Sequence, residues 1–188
     1  LLCHLRHVAE YALVETNGGS KDNVITLANK IKIAAKDLAP LKAAVAEMEA
    51  AWKVEFGADE PGLAVKFTEL EEADYQVMTE ASAKKVIAFL VNCPNGVDEY
   101  NRSLPGLVET SDNLGVTEEG CVRFMVLTRS GTASKLEEFK EKYRCLANLV
   151  GGSYEFNSEY PGWMFKEQSK IRPIVLDAFE HIYGKRPE

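Results

Sequence analysis

The sequence predicts an α+β fold: two ferredoxin-like α/β sandwich repeats, each an antiparallel sheet with helices on one face, followed by a separate C-terminal helix. Three observations carry that expectation. Apolar residues recur at helical spacing in some stretches and alternate at strand spacing in others. The order helix, strand, strand, helix, strand occurs twice. At equivalent places the halves read Leu13-Val14-Glu15-Thr16-Asn17 and Leu107-Val108-Glu109-Thr110-Ser111. A repeat of this length shapes the whole fold expectation, because each unit is one supersecondary module. It divides the chain into residues 1–75 as a first repeat, 76–160 as a second, and 161–188 as a return segment with its helix.

Taken in order, Leu1, Leu5, Val8 and Ala12 share one helical face. Residues 11–16 are strand-like and run into Asn17-Gly18-Gly19-Ser20-Lys21-Asp22, where glycine supplies the positive φ of a tight reversal. Ile25, Leu27, Ile31 and Ile33 alternate with Thr26, Ala28, Lys30 and Lys32, the pattern of a half-buried strand over residues 23–34. Asp37 is a good N-cap, with Pro40 in the first turn after it. Leu41, Val45, Met48 and Trp52 then mark a helix that ends near Gly57. Leu63, Val65 and Phe67 alternate as a third strand.

The second half follows the same order. Ala83, Val86, Phe89 and Leu90 define a helix over residues 79–90. Residues 107–111 are strand-like, Asp112-Asn113-Leu114-Gly115 is a polar turn, and residues 121–128 are an apolar strand. Leu136, Phe139, Tyr143 and Leu146 stripe a helix that begins after Thr132 and stops at Gly151-Gly152; residues 153–156 resume as strand. Beyond both repeats, Ile171, Ile174, Val175, Phe179 and Ile182 form an amphipathic helix closed by Gly184 and Pro187.

Composition excludes several function classes. With 46% hydrophobic and 27% charged residues the chain can bury a real core and is too apolar for disorder. The net charge of −7 is dispersed, with no basic stripe, so a nucleic-acid partner is not expected. No apolar run approaches a membrane span, so no membrane partner is expected either. Leu1 opens the sequence in mid-helix, without a start Met or a signal-peptide pattern, as a piece of something longer would. Cys3, Cys93, Cys121 and Cys145 are scattered with no CxxC pair; they are expected as reduced cytoplasmic thiols, mostly buried.

The candidate catalytic and metal-ligating residues are scattered along the chain. His4 and His7 lie three apart on a helix, but no carboxylate or third ligand accompanies them. His181 stands alone near a helix C-terminus, where a cation complements the dipole. Glu71-Glu72 has no His or Asp beside it and suits a solvated loop. No zinc-protease helix motif, nucleophile elbow or phosphate loop is present. The chain by itself is therefore expected to hold no catalytic residue and no metal or other cofactor, and to be inactive alone.

Three further stretches point elsewhere. The first is Asn17-Gly18-Gly19-Ser20-Lys21-Asp22-Asn23-Val24-Ile25. The second is Pro94-Asn95-Gly96-Val97, then Gly106-Leu107-Val108-Glu109-Thr110-Ser111-Asp112-Asn113-Leu114-Gly115-Val116, ending in Leu127-Thr128-Arg129-Ser130. The third is Tyr160-Pro161-Gly162-Trp163. In order and spacing they resemble the aminoacyl-histidine dipeptidases, carnosinase-like Xaa-His dipeptidases of the di-zinc exopeptidases. The resemblance covers essentially the whole chain. It implies a lid (dimerisation) domain only, cut from a cytoplasmic zinc metallopeptidase whose zinc ligands lie on a separate catalytic domain. It also implies that the final helix belongs to that catalytic domain. The chain would begin after the lid's glycine-flanked histidine and stop before the last metal-ligand histidine. Asp22 stands where the family commonly has Arg, and Thr26 where Pro is usual.

By the same resemblance Asn23 is the lid asparagine that hydrogen-bonds the substrate, and Arg129 the lid arginine that grips the substrate's C-terminal carboxylate. The chemistry suits both. A guanidinium fork matches a carboxylate bidentately, and an amide can donate to an oxygen gaining charge. Read alone, Asn23 would cap a turn and Arg129 would be a solvated strand end. The implied partners are a dipeptide substrate in the parent and a possible homodimer. The alternative is a stand-alone α+β interaction or small-molecule-binding module, whose sheet edges pair with a partner; the sequence flanking the chain discriminates the two.

Overall fold

The computed structural model describes every residue except Ser20, residues 118–121, Met164, Glu167 and Glu188, and describes only the backbone of Val116 and Thr117. The fold is α+β, as expected. The first half runs α1 (Leu2–Val8), β1 (Ala12–Gly18), β2 (Asn29–Ala34) and α2 (Ala39–Phe56); the second runs α3 (Glu80–Asn92), β3 (Gly96–Tyr100), β4 (Val108–Thr117), β5 (Phe124–Ser130) and α4 (Ala133–Val150). Helix α5 (Ile171–Tyr183) follows. The expected closing strand is missing from each half among the described residues: the first runs helix, strand, strand, helix, and the second has the same order with β3 added.

All described pairings are antiparallel. β1 and β2 form a ribbon with Leu13 opposite Ile33 and Gly18 opposite Asn29. β3, β4 and β5 form a three-stranded sheet centred on β4. The two sheets join where Gly18 of β1 pairs with Thr117 of β4. Across this narrow join, α3 of the second half packs on β1 of the first.

Two apolar clusters stand out among the described residues. In one, Leu2 and Leu13 pack against Ala83, Val86 and Ile87 of α3. The other brings Leu5 of α1 against Leu41, Ala44 and Val45 of α2, with Val65 and Phe67 at its margin. Helix α2 begins as its residues dictate: the Asp37 carboxylate accepts from the Ala39 N–H at 3.0 Å, one residue before the formal cap, Leu38. Thr79 caps α3, its hydroxyl accepting from the Ser82 N–H at 3.2 Å. Helix α4 closes at Gly151, whose φ of +66° is the left-handed geometry that glycine adopts without strain.

Several local expectations are corrected. The strand over residues 23–34 is shortened to β2; Ile25 and Leu27 are 61% and 92% exposed rather than half-buried. The Thr26 hydroxyl draws this segment toward β4, donating to the Leu114 carbonyl at 2.9 Å, so it cannot also follow β1. Leu63, Val65 and Phe67 do alternate half-buried with exposed neighbours, yet join no strand ladder. Val65 and Phe67 instead pack at the α2 cluster, and Leu13 of β1 offers its carbonyl to the Met78 N–H at 2.7 Å. Residues 153–156 are likewise outside any strand.

The turn expected over residues 112–115 is continuous strand, because Asp112 turns into the protein and finds hydroxyl donors there. β3, not anticipated, pairs with this same strand. The apolar strand begins at Phe124, and its expected start at Cys121 lies outside the described residues. Among the described cysteines only Cys93 is buried; Cys3 and Cys145 are exposed, against the expectation of mostly buried thiols.

Helix α5 has no buried residue among the described ones, although Ile171, Ile174, Val175 and Ile182 are apolar. No helix of the described residues is long and apolar enough to cross a membrane.

Candidate functional site

The three stretches singled out in the sequence converge on the two ends of the β4–β5 pair. At the Leu114–Gly115 end the constraint is close approach. A Cβ on Gly19, whose φ is +76°, would lie 1.5 Å from the Gly115 carbonyl oxygen. One on Gly115 would lie 2.4 Å from the Asp22 Cα. Neither position has room for a side chain, so the glycines let the loop after β1 lie on β4. Thr26 adds its hydroxyl there, and Asn95 accepts from the Leu114 N–H at 2.9 Å. Both departures from the family pattern, Asp22 and Thr26, thus take part in this contact.

At the other end the turn after β5 is pinned from two sides. The Gly131 N–H donates to the Glu109 carbonyl at 3.2 Å, extending the β4–β5 ladder by one pair. A Cβ on Gly162 would lie 2.1 Å from the Ser130 carbonyl oxygen, so the Tyr160–Trp163 stretch is pressed against the outer edge of β5. An open groove runs between β5, α4 and residues 153–163, and Asp22, Glu109, Arg129 and Trp163 are among its lining residues.

Arg129 lies on β5 opposite Ser111, exposed, and makes no ion pair among the described residues. Asn23 is exposed in the turn next to Asp22. The structure does not bring the two together. The Gly115 level of β4, where the Asn23 loop lies, is four residues from Ser111, roughly 13 Å at about 3.3 Å per residue. They sit at opposite ends of one strand pair, each beside a glycine-dependent contact.

On the opposite face of β4 is a buried polar cluster that sequence reasoning missed. Asp112 is 1% exposed. Its Oδ1 accepts from the Thr128 hydroxyl of β5 and the Tyr143 hydroxyl of α4, both at 2.5 Å. Its Oδ2 has no partner among the described residues. Loss of hydration pushes the Asp112 pKa up, and the negative Asp98 adds to this. The Thr128 and Tyr143 bonds and Lys142 oppose it. Burial also pushes Tyr143 up and carries the Cys93 thiol to about 12, so Cys93 is no nucleophile here. Next to this cluster the Thr110 and Ser130 hydroxyls share a hydrogen bond of 2.9 Å, and Ser130 also accepts from the Thr132 N–H at 3.1 Å. The available signal was strand parity: Thr110 and Asp112 alternate on one side of β4, opposite Ser130 and Thr128.

Among the described residues no group of three or more His, Cys, Asp or Glu is placed to hold a metal ion, and His4 and His7 of α1 are exposed.

Comparison with known proteins places the chain. No family model matches it. It is 28% identical over 179 residues to the cytosol non-specific dipeptidase of Escherichia coli (strain K12), a match that covers 93% of this chain and 37% of that protein. The crystal structure of aminoacylhistidine dipeptidase from Vibrio alginolyticus matches with a TM-score of 0.81 and 35% identity, over 98% of this chain and 38% of that one. The chain thus spans less than two fifths of the length of either relative. Over that span the resemblance to the aminoacyl-histidine dipeptidases holds in both sequence and fold.

Proposed function

We propose that this chain, the counterpart of one segment of the aminoacyl-histidine dipeptidases, is the lid of a cytoplasmic, metal-dependent dipeptidase that hydrolyses Xaa-His-type dipeptides. In this reading the chain contributes substrate contacts, and zinc and the catalytic groups belong to another part of the enzyme. Residues 1–75 and 76–160 act as two lid repeats, and 161–188 returns the chain to the catalytic body. The apolar residues exposed along α5, with Trp163 before it, suit a helix that docks there. Homodimerisation through the lid belongs to the same proposal, as C₂ dimers are the commonest assemblies.

The observation that carries the reading is Arg129: an exposed guanidinium without an ion pair among the described residues, on a strand end fixed by Gly131 and Gly162, in an open groove. A rigid strand presenting an unspent fork is what carboxylate capture needs. Asn23, on the loop held by Gly19 and Gly115, would donate its amide to the substrate from the other end of the pair.

The test is Arg129→Lys in the whole enzyme. Charge-assisted hydrogen bonds are worth about 1.5–3 kcal/mol, so kcat/KM for a free-acid dipeptide should fall by roughly tenfold to a hundredfold. A dipeptide with an amidated C-terminus should be spared. Equal losses on both substrates would remove the carboxylate assignment.

A further inference from the structure

We infer that Glu109 sets the charge preference of the site for the side chain of the substrate's C-terminal residue, disfavouring acidic and favouring cationic ones. This rests on the reading of Arg129 as the carboxylate clamp. Ser111 lies opposite Arg129, and the Gly131 N–H to Glu109 carbonyl bond sets Glu109 opposite Gly131. Residues opposite each other, or two apart along a strand, share a face, so Glu109 and Arg129 are diagonal neighbours on one side of the β4–β5 pair. Both line the same groove.

The position of the Glu109 carboxylate is built rather than incidental. Its Oε2 accepts from the Asn101 amide at 2.5 Å, and Asn101 is itself fixed by accepting the Ser103 and Leu104 N–H groups at 2.9 and 3.0 Å. Its Oε1 lies over Gly131, where a Cβ would come within 2.2 Å. The absent side chain at 131 is what lets the carboxylate cross the strand pair. Glu109 makes no ion pair among the described residues, and Lys135 of α4 is engaged by Asp98, Glu99 and Glu138.

A dipeptide held by its terminal carboxylate on Arg129 therefore places its C-terminal side chain within reach of a second, uncompensated carboxylate. A glutamate or aspartate side chain would be repelled there and a lysine or protonated histidine attracted. One unit charge at about 8 Å in a partly solvated groove changes binding by roughly threefold to tenfold.

The experiment is Glu109→Gln in the whole enzyme, read as kcat/KM for Ala-Lys, Ala-Gln and Ala-Glu. Glutamine keeps an acceptor for Asn101 and nearly the same volume, and removes only the charge. The expected result is a gain on Ala-Glu, a loss on Ala-Lys and little change on Ala-Gln, narrowing the Lys-to-Glu ratio by roughly tenfold to a hundredfold. The ratio in the unmodified enzyme should also narrow as salt is raised. If Glu109→Gln moves all three substrates equally, or none, the inference is overturned. Arg129→Lys separates the two ideas. Should it discriminate free-acid from amidated dipeptides while Glu109→Gln leaves the ratio alone, only the role of Glu109 falls. Should it fail to discriminate, or the enzyme cleave no dipeptide, both fall.

Discussion

The two halves of the molecule both set strands between two helices, two strands in the first and three in the second, and differ in what they bury. In the first, β1 turns Leu13 inward, and α1 and α2 close Leu5, Leu41, Ala44 and Val45 into an apolar cluster. In the second, the inward positions of the sheet include Thr110, Asp112 and Ser130, each matched to a hydroxyl or N–H. The aligned strands make the contrast direct: Asn17 of β1 pairs with Lys30, and its counterpart Ser111 of β4 pairs with Arg129. One half is held by burial, which tolerates imprecise geometry; the other also depends on directional bonds, which fix strand ends to fractions of an ångström. If Arg129 is the carboxylate clamp proposed above, the second kind of sheet is the one suited to holding it in one place.

That contrast breaks most visibly in the first half's core. Leu41 is fully buried, so Leu41→Ala should cost about 2–5 kcal/mol in chemical denaturation, the range for large-to-small core changes. Thr110→Val in the second half should cost less, about 1–3 kcal/mol, because Ser130 keeps its bond from Thr132 while losing the partner hydroxyl. If the valine proves as harmless as a surface change, the polar layer is ornament and the contrast fails.

Asp112 sharpens the comparison through pH. Its pKa is raised in the folded chain, mainly by loss of hydration. A raised carboxyl favours the protonated form of the native state. The stability it confers is therefore complete below the unfolded-state pKa and lost as pH rises through the folded one. Asp112→Asn keeps an oxygen for Thr128 and Tyr143 and cannot ionise. The substituted protein should melt higher than the original at pH 7–8 and close to it at pH 4. A gap of about 1 kcal/mol would appear as roughly 2–4 °C. A variant that melts lower by the same amount at every pH would show that the cluster needs the carboxylate itself.

How much of this was legible follows the same division. Apolar periodicity marked α1 to α4, β1 and the inner part of β2, because burial leaves a period in the sequence, and it marked α5, whose apolar face is exposed here. It failed where hydrogen bonding, not burial, decides. Leu63, Val65 and Phe67 have the alternation of a strand and the packing of one, yet α2 takes their side chains and no ladder forms. Asp112-Asn113-Leu114-Gly115 has turn composition, and two hydroxyls from elsewhere in the chain hold it as strand. Those donors are 16 and 31 residues away, beyond the reach of local propensity. At the site, resemblance singled out Asn23 and Arg129. Glu109 was visible only as part of a repeat, since its meaning depends on Gly131 opposite and Asn101 beside it.

A smaller effect is expected where the first half's loop meets the second half's sheet. Thr26→Val removes a hydroxyl that donates to the Leu114 carbonyl at 2.9 Å in a half-buried setting, a net loss of about 0.5–1.5 kcal/mol. Because the loop carries Asn23, amide exchange should quicken over residues 21–28 more than in β1 or β2. Uniform protection there would mean that Gly19 and Gly115 alone hold the loop.

The smallest expected effect separates display from support. Lys30→Gln and Arg129→Gln remove aligned cations from the two strand pairs, one from each half. Both side chains are exposed, and neither makes an ion pair among the described residues, so each change should move stability by no more than about 0.5 kcal/mol. Their functional consequences should differ completely. Lys30 is not among the residues that line the groove of Arg129, and under the proposed function Lys30→Gln should leave dipeptide turnover in the whole enzyme unchanged. Arg129→Gln should abolish most of the preference for a free C-terminal carboxylate while the chain melts as before. If Arg129→Gln instead lowers the melting temperature by several degrees, the guanidinium supports the fold. The second half would then not be the one that displays it to a ligand.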